Sequence, residues 1–135
     1  MNAYESQVRK FYSVIWDKKC LAEIPSVLHE NFVFRGSLGH KKQGHEGFIE
    51  YLEYVHLALD RYTCIIEELV VQPETVFARM LFTGIHQGAF MGYEPTNKEV
   101  FWAGAALFKF SGLKISSLWV LGDLHNLERQ LANKT

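Results

Sequence analysis

The sequence predicts an α+β fold in which N-terminal helices pack on one face of a curved antiparallel or mixed β-sheet. Apolar residues recur at helical spacing as far as Leu59, the period changes to alternation from Tyr62 onward, and the alternating runs are joined by short turn-forming links. Helices first and strands later is the order of a segregated domain, and short links favour antiparallel pairing.

The first element is a long helix. Val8, Phe11, Tyr12, Ile15 and Trp16 form one broad aromatic stripe suited to packing on a sheet. "AEIPSVLHE" predicts a brief second helix, with Pro25 tolerated in its first turn and Ile24, Val27 and Leu28 as apolar contacts. "NFVFRG" alternates as a short strand, and the polar, glycine-punctuated "LGHKKQGHEG" reads as a loop or hairpin tip. Phe48, Tyr51, Leu52, Val55 and Leu59 then give a third helix whose other side carries Glu50 and Glu53. "YTCIIEELVV", "TVFARMLFTG", "VFWAGAALFKF" and "KISSLWVLG" are four strands, and Leu124, Leu127 and Leu131 mark a last helix that Asp123 can cap.

A chain of 135 residues suits a single domain, here taken as 1–135. With 48% hydrophobic residues and three prolines it can bury enough apolar surface to fold compactly. A formal net charge of -1 with interspersed signs offers no field to attract nucleic acid or an anionic membrane. "MNAYESQVRKFY" lacks the apolar core of a secretory signal and no run is long enough to span a bilayer, so a cytoplasmic location is expected. Cys20 and Cys64 belong to no CxxC pair and no histidine pair has ligand spacing beside a carboxylate, so no metal site is expected. Two reduced thiols are the simpler reading; one disulfide stays open.

"FTGIHQGAFMGYEPT" stands out because Gly84, Gly88 and Gly92 interrupt an otherwise sheet-like run. Glycine in a strand serves a bulge, a bend or a close backbone approach, and a sheet curling round a cavity would need such bends. The alternative is a glycine-rich hairpin on a flat sheet. This run, Gly44 with the helix after it, and "KISSLWVLGDLHNLERQL", with Ile115, Trp119, Asp123, Gln130 and Leu131 at matching spacings, resemble the SnoaL-like polyketide cyclases. That family is a branch of the NTF2-like cone-shaped α+β folds. Two departures are visible: Asn97 stands where the family usually has glycine after Pro-Thr, and no histidine lies between Trp102 and Phe110, where characterised cyclases have one.

The resemblance implies a cofactor-independent cyclase or isomerase that acts on an enolisable hydrophobic carbonyl compound, with Asp123 as general acid and base. Ser117, Trp119, Leu121 and Asp123 share one strand face, so if Trp119 lines the interior, Asp123 faces its mouth, where desolvation would raise its pKa. Asp123 could equally cap the last helix, or do both. His86, between two of the glycines, could relay protons or hold a structural hydrogen bond. Tyr12, Trp16, Phe48, Tyr51, Phe90, Trp102 and Trp119 could wall a pocket for a small hydrophobic or polycyclic ligand, or be ordinary core. The competing function is a non-catalytic binding or dimerisation module. A homodimer is expected because three or four helices leave one apolar sheet face uncovered.

Overall fold

The computed structural model describes residues 2–133 and shows helices on one face of a single six-stranded mixed sheet. Helix α1 (Ala3–Lys10) starts at Asn2, whose side chain accepts from the Tyr4 and Glu5 amides, and continues as a π-helical stretch over Phe11–Trp16. A 3-10 turn (Leu21–Glu23) leads into the four-residue α2 (Ile24–Val27), shorter than the sequence suggests because Leu28 already opens a strand. The strands are β1 (Leu28–Arg35), β2 (Lys41–Gln43), β3 (Leu59–Gln72), β4 (Thr75–His86), β5 (Glu99–Ser111) and β6 (Lys114–Gly122). Helix α3 (Gly44–Ala58) separates β2 from β3, and α4 (Leu124–Ala132) closes the described chain. The expected loop "LGHKKQGHEG" therefore contains an edge strand, too short and too polar to show alternation.

The sheet order is β2-β1-β6-β5-β4-β3. β1 pairs with β6 in parallel and every other neighbouring pair is antiparallel, which makes the sheet mixed. Strict alternation in β4 and β5 sends Ala78, Met80, Phe82, Trp102, Ala106 and Phe108 inward onto the helices. The helices contribute Phe11, Ile15, Phe48, Leu52 and Val55 to the same core.

The interrupting glycines serve close approach and turning. A Cβ on Gly84 would lie 2.9 Å from the Leu59 Cβ, and one on Gly88 would lie 2.6 Å from the Leu57 carbonyl oxygen, so both let the end of β4 run against the junction of α3 and β3. Gly92, at φ +84, turns the loop where Phe90 and Tyr93 bridge. Asn97 occupies the left-handed region at φ 59, as expected of the residue replacing a glycine there. Both cysteines are free, and among the described residues no helix is long and apolar enough to cross a membrane.

Candidate functional site

The interior between helices and sheet is walled by rings. Trp16 meets Tyr62 edge-on at 5.3 Å between centroids and Phe48 at 5.5 Å; Phe34 meets Tyr51 at 5.1 Å, and Phe82 meets Trp102 at 5.4 Å. Phe90 joins the far end, 6.4 Å from both Trp102 and His86. The structure thus buries six of the seven ring residues singled out in the sequence: Tyr12, Trp16, Phe48, Tyr51, Phe90 and Trp102. Three of them, Tyr12, Trp16 and Tyr51, border a void of only about 20 Å³ together with Phe34, Tyr62 and Phe82. That is room for about one water molecule. The roomy hollow expected from the bent strand is not there, because the interlocking rings fill it.

The void's lining is mostly apolar, but it includes residues that carry polar groups. Tyr12, Tyr51, Tyr62 and Ser37 all border it. Burial pushes the Tyr12 and Tyr62 hydroxyls well above the usual phenol range and Tyr51 up to about 12. All three are accordingly neutral O–H donors at any physiological pH. The Tyr51 oxygen accepts from the Leu38 amide at 3.3 Å and lies under Gly36, where an added Cβ would come within 2.6 Å of it. Tyr12 differs: its residue is 3% exposed and its hydroxyl has no hydrogen-bond partner among the described residues. The indole Nε1 of Trp102 is likewise unpartnered, in a niche kept open by Gly122, where a Cβ would lie 3.1 Å from that nitrogen.

Trp119 and Asp123 do not enter this interior. In β6 it is Ile115, Leu118 and Val120 that point inward, so the opposite parity, Trp119 and Leu121, faces out, with Trp119 47% exposed. The two-residue period was legible, but both faces of β6 are apolar, and the aromatic member took the outside. Trp119 packs there beneath the Arg35 guanidinium, 5.8 Å from its ring centroid. It lines an open groove of about 460 Å³ with Val33, Lys41 and Gln43. Asp123 is exposed, and its carboxylate accepts from the Asn126 amide at 3.1 Å, the geometry of an N-cap.

His86 is fully buried at 0% exposure. Its Nδ1 accepts from the Thr96 amide at 3.1 Å, and its backbone bonds both Lys98 and Asn97. The imidazole therefore ties the Pro95–Thr96 turn to β4. With Nδ1 accepting, the ring proton sits on Nε2, which stands near the Tyr93 and Gly88 carbonyls without a well-formed hydrogen bond to either. Burial lowers its pKa, so the ring is neutral.

Three residues outside the sequence-based site lie at or next to the interior, and of these Tyr62 borders the void itself. Tyr62 and Cys64 project inward from β3, and the partly buried Asp17, at the end of the π-helical stretch, accepts from the Cys64 amide at 2.9 Å. No local pattern marks Asp17, because its partner lies 47 residues away in the chain. The alternation of Tyr62 and Cys64 was the available signal for the other two. Among the described residues no group of His, Cys, Asp and Glu side chains is arranged to hold a metal ion.

Comparison with known proteins agrees with this architecture. A search of curated protein sequences finds no match. Similar solved structures include a candidate polyketide cyclase from Acidithiobacillus ferrooxidans, at 17% identity over 99% of this chain and 97% of that one, with a TM-score of 0.87. TsrD from Streptomyces laurentii matches at 18% identity over 96% and 95% of the two chains with a TM-score of 0.86. A SnoaL-like polyketide cyclase from Agrobacterium tumefaciens matches at 20% identity over 98% and 100%, with a TM-score of 0.82. At these identities the likeness establishes a shared NTF2-like fold. The profile of the SnoaL-like polyketide cyclases matches residues 6–131, and this chain belongs to that family.

Proposed function

We propose that this protein binds a small, largely apolar carbonyl compound in the aromatic interior, with the Tyr12 hydroxyl donating to the carbonyl oxygen. The observation that carries the reading is the orphan donor: Tyr12 borders the void, and its buried, protonated hydroxyl has no acceptor among the described residues. Buried polar groups are nearly always paired, and leaving one unpaired costs about 1–3 kcal/mol, so a missing ligand oxygen is a physical explanation for it. The void as it stands holds no ring, so even a one-ring ligand must displace interlocked side chains, and a polycycle must displace more of them, which favours a small ligand.

Proton transfer next to the carbonyl, the chemistry implied by the cyclase family, would here be assisted by phenol donors that stabilise the developing enolate oxygen. Asp123 acting as acid and base would require its carboxylate to leave the α4 cap and enter the interior. Asp123→Asn separates the two roles: the cap is kept, so ligand affinity should be unchanged, and any turnover that is abolished identifies the carboxylate as its proton carrier. For binding itself, isothermal titration with acetophenone is expected to give saturable binding that Tyr12→Phe weakens. Equal affinity in the two proteins would refute the assignment.

The uncovered sheet face supports self-association. Val33, Phe77, Phe101, Trp119 and Leu121 are all exposed on that face, and a net charge of -1 opposes pairing of two copies only weakly. A homodimer is the expected state, and a monomer by light scattering would contradict it.

A further inference from the structure

Besides Tyr12, the aromatic interior holds a second buried donor that lacks an acceptor. Trp102 is 1% exposed, and its indole Nε1 has no hydrogen-bond partner among the described residues. A buried tryptophan ordinarily sets that N–H against an acceptor, because leaving it unpaired is costly. One side of Nε1 is kept clear because residue 122 is glycine. A Cβ there would lie 3.1 Å from Nε1, 3.1 Å from the Ser37 Cβ and 2.9 Å from the Ser37 carbonyl oxygen, so any other residue would intrude on this niche. Ser37 also borders the interior void, as do Tyr62 and Phe82, whose rings pack on the Trp102 indole at 6.2 and 5.4 Å between centroids. The niche and the void thus share Ser37 as a common wall.

The two donors come from opposite ends of the interior. The Tyr12 ring meets Phe108 edge-on at 5.8 Å, and Phe108 and Trp102 are both inward residues of β5, six positions apart. That spacing is about 20 Å along an extended strand. A ligand oxygen that reaches Tyr12 therefore leaves Trp102 unserved, and satisfying both donors takes a second acceptor at the far end of the same molecule. We propose that the Trp102 indole is a specificity-determining donor that receives a second ligand oxygen in the niche beside Gly122, so that the preferred ligand is a flat apolar body with a neutral oxygen acceptor at each end. This rests on the reading of Tyr12 given above for the first acceptor, and the second contact has its own readout.

The chemistry of the niche selects the kind of oxygen. An indole N–H only donates, so it takes an acceptor such as a carbonyl and offers nothing to a ligand donor. No lysine or arginine borders the void, and the exposed Asp123 follows Gly122 in the chain. A carboxylate would therefore enter without a counter-charge, which makes its burial costly, whereas a ketone or ester oxygen is neutral. Aromatic dicarbonyl compounds have the required form: two acceptors held apart by a rigid ring.

The test compares two ligands of nearly equal shape, 1,4-diacetylbenzene and 4-isopropylacetophenone, of which only the first has the second oxygen. Isothermal titration of the wild type is expected to show the diacetyl compound binding about 10-fold more tightly, the worth of one hydrogen bond. In Trp102→Phe the preference should fall to within about twofold, the statistical advantage of two equivalent carbonyls. A measurement on the unaltered protein does not depend on that variant folding: with ¹⁵N at the tryptophan indoles, the Trp102 Nε1 proton should lie further downfield in the diacetyl complex than in the isopropyl complex. Equal affinities in the wild type, a preference that survives Trp102→Phe, or the same Trp102 proton position in both complexes overturns the inference. Tyr12→Phe separates this from the earlier reading. If it weakens both ligands while the wild type shows no diacetyl preference, the Tyr12 reading stands and the Trp102 contact falls. If it weakens neither while the preference persists, the Trp102 contact stands and the Tyr12 reading falls; binding of neither ligand by the wild type overturns both.

Discussion

Replacing Tyr12 with phenylalanine should make the protein more stable while making it bind worse. Tyr12 borders a void of about 20 Å³, and its buried hydroxyl lacks a partner among the described residues. Removing an unpaired buried hydroxyl recovers about 1–3 kcal/mol of desolvation cost. Against this, the vacated oxygen enlarges the void by roughly 10–15 Å³, which at about 24 cal/mol per Å³ costs about 0.3 kcal/mol. A net gain of about 1 kcal/mol is expected, which for a domain of this length raises the melting temperature by roughly 3–6 °C. In the same variant, loss of one hydrogen bond to a carbonyl oxygen should weaken acetophenone binding about 10-fold. Scanning calorimetry and isothermal titration read the two effects separately. A lower melting temperature in Tyr12→Phe would refute the reasoning, since it would mean that the hydroxyl has a stabilising partner in the ligand-free protein.

The other predictions concern the fold and its ionisable groups. Asp123→Ala should lower stability by about 1 kcal/mol through loss of the α4 cap, and Asp123→Asn should be close to neutral, both measured by urea unfolding. Gly88→Ala should destabilise the protein by about 1–3 kcal/mol, because its Cβ would meet the Leu57 carbonyl oxygen at 2.6 Å and backbone cannot give way as a side chain can. His56 and His86 both have pKa values lowered from 6.5 by burial, so the folded state binds fewer protons than the unfolded chain in mild acid. Stability from these groups is present above pH 6.5 and is lost as pH falls through their folded values, so the melting temperature should drop on acidification, with a shallower slope in His56→Gln. A flat profile between neutral pH and pH 5 would contradict their neutral burial.

The fold was readable because its signals are local. The stripe of Phe11, Ile15 and Trp16 and the alternation through β4 and β5 each depend on neighbours a few residues apart. The short β2 was missed because three polar residues, Lys41–Gln43, carry no periodic pattern and are held in the sheet by pairing with Val33–Arg35. The site was readable only in part. Burial of Tyr12 and Tyr51 followed from their helical stripes, but Trp119 sits on a strand whose two faces are both apolar, so parity gave its companions without the direction. The pairing of Asp17 with Cys64 depends on the register between the first helix and β3, a tertiary fact that no spacing encodes.

The central claim is that the interior at Tyr12, and not the outer groove at Trp119, receives the ligand. It is tested most directly by adding acetophenone to protein labelled with ¹³C at tyrosine Cζ and ¹⁵N at the tryptophan indoles. The account predicts saturable shifts of the Tyr12 Cζ and Trp102 Nε1 resonances with Trp119 unmoved; a shift confined to the Trp119 indole would contradict it.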